Sequence, residues 1–307
     1  MLLFVAVLMS FIMTSQDYER VDAIIQLYPT TCKNPEELSK FISRDFVSEE
    51  DKVRAIYGWI IQNVAYHPDE YKKFNYKFTN YRERNQKEEI TRNKIIKRTL
   101  QKGVAVCEGY SMLFERLCEL QGIQNYLVRG DTKTNFQDIG RSFNKNHMWN
   151  VAYIEGEPFL FDPTWGAGKY HDKFIKEPSY FYFKTAPELF IKTHYPDVFE
   201  DAFISENLSR TEFSNMPLLI IEDLVIDNIK SPKNGILYEE EYFGDIPFSI
   251  KNVAPKKISY SYGEETISLE DFKIEEEELT FIIPLQIGIK RILIYFDDEP
   301  ALGYVIK

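Results

Sequence analysis

Cys-Glu-Gly-Tyr-Ser-Met-Leu-Phe, residues 107–114, is the stretch on which the fold turns. It follows Gly103-Val-Ala-Val, and Tyr110, Phe114, Leu117 and Cys118 then recur at helical spacing up to Gly122, a C-terminal stop. A cysteine where a loop meets a helix lies against free backbone N–H groups and the positive end of the helix dipole, which favour a thiolate. Downstream come Asn-His-Met-Trp-Asn-Val, with His147, and Phe-Leu-Phe-Asp-Pro-Thr-Trp-Gly, with Asp162. The set supplies a nucleophile, a base and a group to orient the base, which is the equipment for thiol acyl transfer. Taken singly, each has a plainer reading: a buried structural thiol, a hydrogen-bonded core histidine, and an Asp-Pro that ends a strand.

The spacing of the last two is informative. Residues 147–154 alternate as a strand, Glu155-Gly156 suits a two-residue turn, and a second strand follows over 158–162. In that register Trp149 faces Asp162 and His147 faces Thr164. His147 and Asp162 then share one face as diagonal neighbours, with Cα atoms roughly 7–8 Å apart. An even-numbered turn keeps them together and an odd one separates them.

Working outward, residues 17–45 read as two short helices. The second has Asn34 as N-cap, Pro35 at its first position and Leu38, Phe41 and Ile42 inward. A third helix starts at Ser48, with Asp51 three residues on and Val53, Ile56, Tyr57, Ile60, Ile61 and Val64 as its apolar stripe. Residues 67–99 are rich in Lys, Arg, Tyr and Asn with weak periodicity. They read as a solvated insertion, or a loop over a cleft. Residues 170–210 are aromatic and irregular. From about 215, short runs at Leu218–Ile221, Tyr242–Ile250, Ile258–Tyr262, Leu279–Pro284 and Arg291–Phe296 alternate with turn residues and predict an all-β sandwich. The acidic run Glu275–Glu278 reads as a solvated turn between strands. Arg129-Gly130-Asp131 reads as a strand end with its turn. Asn207-Leu208-Ser209 matches a glycosylation sequon, which matters only in a host with that machinery.

The 307 residues allow two domains, and 20 Tyr with 23 Phe supply ample core. A net charge of −11 argues against a nucleic-acid partner, because phosphate contacts need clustered cations. With three cysteines, four histidines and no Cys-x-x-Cys or His-Glu-x-x-His spacing, no metal site is readable. Cys107 and Cys118 share one helix. Eleven residues at about 1.5 Å each put them roughly 16 Å apart, too far for a disulfide.

Three blocks, Gly-Val-Ala-Val-Cys-Glu-Gly-Tyr-Ser, Asn-His-Met-Trp-Asn-Val and Phe-Asp-Pro-Thr-Trp-Gly-Ala-Gly, together resemble the signatures of the transglutaminase-like superfamily. The branch is the one that includes the kyphoscoliosis peptidase domain. The likeness extends upstream to Asp51–Tyr66 and downstream to His194-Tyr-Pro-Asp and Glu212-Phe, so it covers roughly residues 17–215. It implies an α+β fold: a papain-like, transglutaminase-like core followed by the C-terminal all-β sandwich. The catalytic domain would span 16–214 and the sandwich 215–307. Cys107 would be the nucleophile, with His147 and Asp162 completing a triad. Gln101, six residues ahead of Cys107 as in papain-type enzymes, and the indole of Trp149 are candidate oxyanion or substrate-site groups. Met148 departs from the branch pattern, which usually has a small residue after the histidine. No cofactor is required, and the expected partner is a protein or peptide substrate. The superfamily includes cross-linkers, amidases, peptidases and forms that have lost activity. A catalytically silent binding or scaffold module is therefore the alternative to an enzyme.

Residues 1–15 form a short apolar run that fits a secretory signal, with Thr14 and Ser15 before a cut at Gln16, although no Lys or Arg precedes it. The alternative is a buried N-terminal helix or strand. A signal predicts a secreted, periplasmic or cell-surface protein with no stable membrane anchor. N-terminal sequencing of the protein from its native host should then read from close to Gln16; an intact Met1 would show that the run is retained.

Overall fold

The computed structural model describes residues 18–70, 81–170, 172–242, 244–263, 265–286 and 288–307, with only the backbone described over 81–86. The apolar run at 1–15 lies outside these residues. The chain divides into two compact units. One comprises the chain up to Arg129 together with His147–Thr185; the other comprises Gly130–Asn146 and Ala186–Lys307. The second unit thus takes in more than the 215–307 stretch marked by the change in sequence texture.

The first unit is α+β. A helical stretch over 18–25 precedes α1 (Pro35–Asp45) and α2 (Glu49–Asn63). The start of α1 is set as its sequence suggests: Asn34 accepts from the Glu37 N–H and Pro35 follows. At α2 the Ser48 hydroxyl accepts from the Asp51 N–H. Then come β1 (Ala65–Tyr66), α3 (Tyr81–Lys102), β2 (Val104–Ala105) and α4 (Cys107–Leu120). Next are β3 (Asn125–Thr132), β4 (His147–Ile154), β5 (Glu157–Phe161), the short α5 (Pro163–Gly166), β6 (Gly168–Tyr170), β7 (Phe174–Lys176) and β8 (Phe183–Thr185). Strands β8, β5, β4 and β3 lie side by side in one sheet. Its β4–β5 hairpin shares a buried core with α1, α2 and α4 that contains Ile42, Tyr57, Ile60, Tyr110, Phe114, Ala152 and Phe161.

The β4–β5 register is the one the sequence predicts, with Asn150 opposite Phe161 and Ile154 opposite Glu157 across a two-residue turn. Glu155 and Gly156 take positive φ values of 54° and 87°, as such a hairpin turn requires. The second strand starts at Glu157 rather than 158 and ends at Phe161, which leaves Asp162 free to begin α5.

The expected insertion over 67–99 is corrected in part. Residues 81–102 form a 22-residue helix. Its Lys, Arg, Glu and Gln are strong helix formers, but among its residues whose side chains are described, the buried ones lie in the last turns: Ile95, Ile96, Thr99 and Leu100. An apolar stripe confined to one end leaves little periodicity to read across the whole segment.

In the second unit, a six-stranded and a four-stranded sheet, mostly antiparallel, enclose one core. Ile246, Phe248, Leu279 and Phe281 come from one sheet, and Ile258, Ile292, Ile294 and Tyr304 from the other. This is the expected sandwich. Glu276 and Glu277 form the expected acidic turn, both at positive φ. The end of β3, from Gly130, belongs to this unit and pairs with β9 (His194–Pro196).

Truncating a buried α3 side chain should destabilise the first unit. Leu100→Ala is expected to cost about 2–5 kcal/mol in denaturant unfolding, and Ile90→Ala, at an exposed position of the same helix, under about 0.5 kcal/mol. Equal small effects would show that α3 does not hold the core.

Candidate active site

Cys107 is the first residue of α4, and Val106 before it is extended. The approach is fixed by the parallel β1–β2 pair, in which Ala65 faces Val104 and Tyr66 faces Ala105. Gly103 takes a φ of 61°, and a Cβ there would lie 2.9 Å from the Asn63 carbonyl oxygen, so glycine is required. One turn into α4, the Tyr110 hydroxyl donates to the Val64 carbonyl at 2.8 Å and ties the helix to the end of α2.

His147 opens β4, and Asp162 is the N-cap of α5. The carboxylate is fully buried and uses both oxygens. Oδ1 accepts the backbone N–H groups of Thr164 at 2.8 Å and Trp165 at 3.1 Å. Oδ2 lies 2.6 Å from His147 Nε2 and accepts its proton. The Cys107 thiol hydrogen-bonds the same imidazole. Asp162 and His147 are thus in contact, and Cys107 acts on the same ring.

The ring lies beside two indoles, with centroids 6.1 Å from Trp149 and 5.7 Å from Trp165. Trp149 thus borders the site. Gln101 does not join it. That residue is exposed at the end of α3, and its amide donates to the Lys33 carbonyl at 3.2 Å. It lines a surface depression of about 480 Å³ with Asn34, Lys97 and Arg116, and that lining includes none of Cys107, His147 and Asp162. The six-residue spacing fails because α3 runs on to Lys102 and carries the Gln101 side chain outward. Sequence reading passed over Trp165 and Tyr57. Trp165 stands inside the third block, only three residues after Asp162. Tyr57, whose hydroxyl donates to the Asp162 carbonyl at 3.4 Å, was read only as part of a core stripe.

Burial alone would depress the basicity of His147. The charge and hydrogen bond of Asp162, with the hydrogen bond and charge of Cys107, outweigh it and hold the imidazole well above its ordinary pKa. The other two thiols differ. Burial, with Glu37 nearby, pushes Cys32 up to about 11. Burial beside Glu115 and Glu119 raises Cys118 well above the ordinary thiol value.

A base whose folded pKa is raised stabilises the fold fully below its unfolded value, near 6.5, and loses that contribution as pH rises through the folded value. Asp162→Asn keeps an oxygen for the N-cap and removes the charge. The Tm gap between wild type and this variant should be widest at about pH 5–6.5 and shrink at alkaline pH. A gap that does not change with pH would mean that the charge of Asp162 does not act on His147.

The similarities found cover part of the chain. Residues 37–163 match the family model of the transglutaminase-like superfamily. The kyphoscoliosis peptidase of Homo sapiens is 32% identical over 187 residues, which are 59% of this chain and 26% of that protein; its Mus musculus counterpart is 31% identical over 185 residues, with the same coverage. The chain thus spans about a quarter of the length of these relatives. A solved structure described as a TGase shares 19% identity over 55% of this chain and 37% of its own, with a TM-score of 0.30. Residues 37–163, which carry Cys107, His147 and Asp162, are thus similar to the transglutaminase-like superfamily, and the similar relatives include the kyphoscoliosis peptidases.

Proposed function

We propose that this chain is an exported, cysteine-dependent acyl-transfer enzyme acting on peptide or side-chain amides through Cys107, His147 and Asp162. The observation that carries the proposal is one imidazole held at 2.6 Å by a fully buried carboxylate and hydrogen-bonded by a thiol at a helix N-terminus. Export rests only on the apolar run at residues 1–15.

Cys107 sulfur attacks the amide carbonyl carbon, and His147 takes up the thiol proton. The tetrahedral oxyanion forms beside the start of α4, where the Cys107 N–H is one of the donors without a helical partner. Trp149, next to the imidazole, is the candidate second donor. Collapse breaks the C–N bond, His147 protonates the departing amine, and a thioester remains on Cys107. Water resolves it to an acid, the peptidase or amidase outcome; a second amine resolves it to a new amide, the transglutaminase outcome. Asp162 keeps the imidazole in one tautomer and orientation throughout.

The near-complete burial of the thiol, 3% exposed, favours the alternative of a silent binding module, because a substrate must first reach it. Reactivity separates the two readings. Cys32 is 4% exposed, so exposure alone predicts similar iodoacetamide labelling of Cys32 and Cys107. Catalytic activation predicts Cys107 modified roughly 10-fold faster or more at pH 7, with His147→Ala abolishing the difference. Turnover of amide substrates, with and without added amines, should vanish in Cys107→Ala. Equal slow labelling together with no turnover would establish the silent module.

A further inference from the structure

We propose that Ser111 and Asn150 are positioning residues that fix the His147 end of β4 against the helix that carries Cys107. This rests on the catalytic reading above and adds to it the element that sets the distance between sulfur and ring.

On the β5 side, the ladder of β4 ends where Asn150 faces Phe161. Residues 147–149 run past that last rung, yet His147 must be held to a fraction of an ångström for its ring to serve both Asp162 and Cys107. Ser111 stands one turn after Cys107 in α4 and is fully buried. Its hydroxyl donates to the Met148 carbonyl at 2.9 Å, on the residue directly after His147. Its carbonyl accepts the Asn150 side-chain N–H at 3.0 Å. One residue of the nucleophile's helix is therefore bonded twice to the base's strand, on the rungs that lie beyond or at the end of the β5 ladder.

Asn150 is costly as a purely structural residue. It is fully buried, and among the described residues its Oδ1 accepts no hydrogen bond. A buried amide with one end unsatisfied is unfavourable compared with an aliphatic side chain of similar size. Ser111 C=O lies inside α4 and has its own helical donor, so it loses nothing essential if Asn150 is replaced. The amide is therefore dispensable for the fold, and what it contributes is the tie between β4 and α4.

The test uses the full chain and reads Cys107 alkylation by iodoacetamide across pH 5–9, alongside Tm, for wild type, His147→Ala, Ser111→Ala and Asn150→Leu. A misplaced base loses roughly 10- to 100-fold. Ser111→Ala and Asn150→Leu should each slow Cys107 by about that factor and shift its pH profile toward that of His147→Ala, while Asn150→Leu keeps or raises Tm. Wild-type rates and profiles in both variants, with His147→Ala still slow, would overturn the positioning role and leave the catalytic reading intact. So would a slowing that merely tracks a fall in Tm, or an acceleration. If His147→Ala itself reacts as wild type does, the catalytic reading has failed, and the positioning role fails with it.

Discussion

The contact between Asp162 and His147 constrains everything around it. A carboxylate with no solvent exposure is tolerable only when its lone pairs are used, because removing a charge from water costs several kcal/mol per ion. Here the helix start Asp-Pro-Thr-Trp does most of that. Pro163 occupies a position whose N–H would be surplus, and the next two N–H groups turn onto Oδ1. The remaining oxygen meets the imidazole at 2.6 Å. The N-cap orients the carboxylate, and the carboxylate orients the ring.

That chain of orientation works only if the strand before it has the right register. His147 and Asp162 are fifteen residues apart, and the two-residue Glu-Gly turn places them on one face of the hairpin. A slip of one residue would send the imidazole to the opposite face and leave the carboxylate buried without a cation. The turn is secured by its left-handed residues and by the Glu155 N–H donating to Glu49 Oε2 at 2.7 Å. The energetic penalty of a misregistered hairpin is thus concentrated at the buried Asp162–His147 pair, and that burial makes the register unambiguous.

How much of this was legible in the sequence follows from where the signals lie. The cap at Asn34, the stripe of α2 and the β4–β5 register are local patterns that appear in the structure as read, whereas at Ser48 the hydroxyl caps the helix but the Asp51 carboxylate pairs with Arg20 rather than closing a capping box. Helix α3 is weakly legible because its apolar residues serve only its last turns. In the second unit the strands at Thr266–Leu269 and Phe272–Glu275 were not anticipated. They lie at sheet edges, are four residues each and are largely exposed, so no strong alternation marks them. The strand Glu299–Ile306 contains Pro300 and Gly303, which read as breakers. In the fold, Gly303 is needed because a Cβ there would press on Phe136 and Leu218 at 3.0–3.1 Å. Gln101 shows the converse. Its spacing was local, but the direction of its side chain depends on where α3 ends, which is set by packing.

The three thiols show why convergence, rather than burial, distinguishes a site. Cys32, Cys107 and Cys118 are all buried and none is in a disulfide. Cys107 and Cys118 even share α4. Cys118 lies far along that helix, beside Glu115 and Glu119, and both burial and charge favour its neutral form. Cys32 sits near Glu37 with the same outcome. Cys107, by contrast, acts on His147, whose basicity Asp162 raises against the cost of burying it. The surroundings of Cys107 are therefore assembled at three places along the chain: a helix start, a strand start and a second helix start. Each gives the next its orientation, and an isolated thiol in the same core has no comparable source of charge.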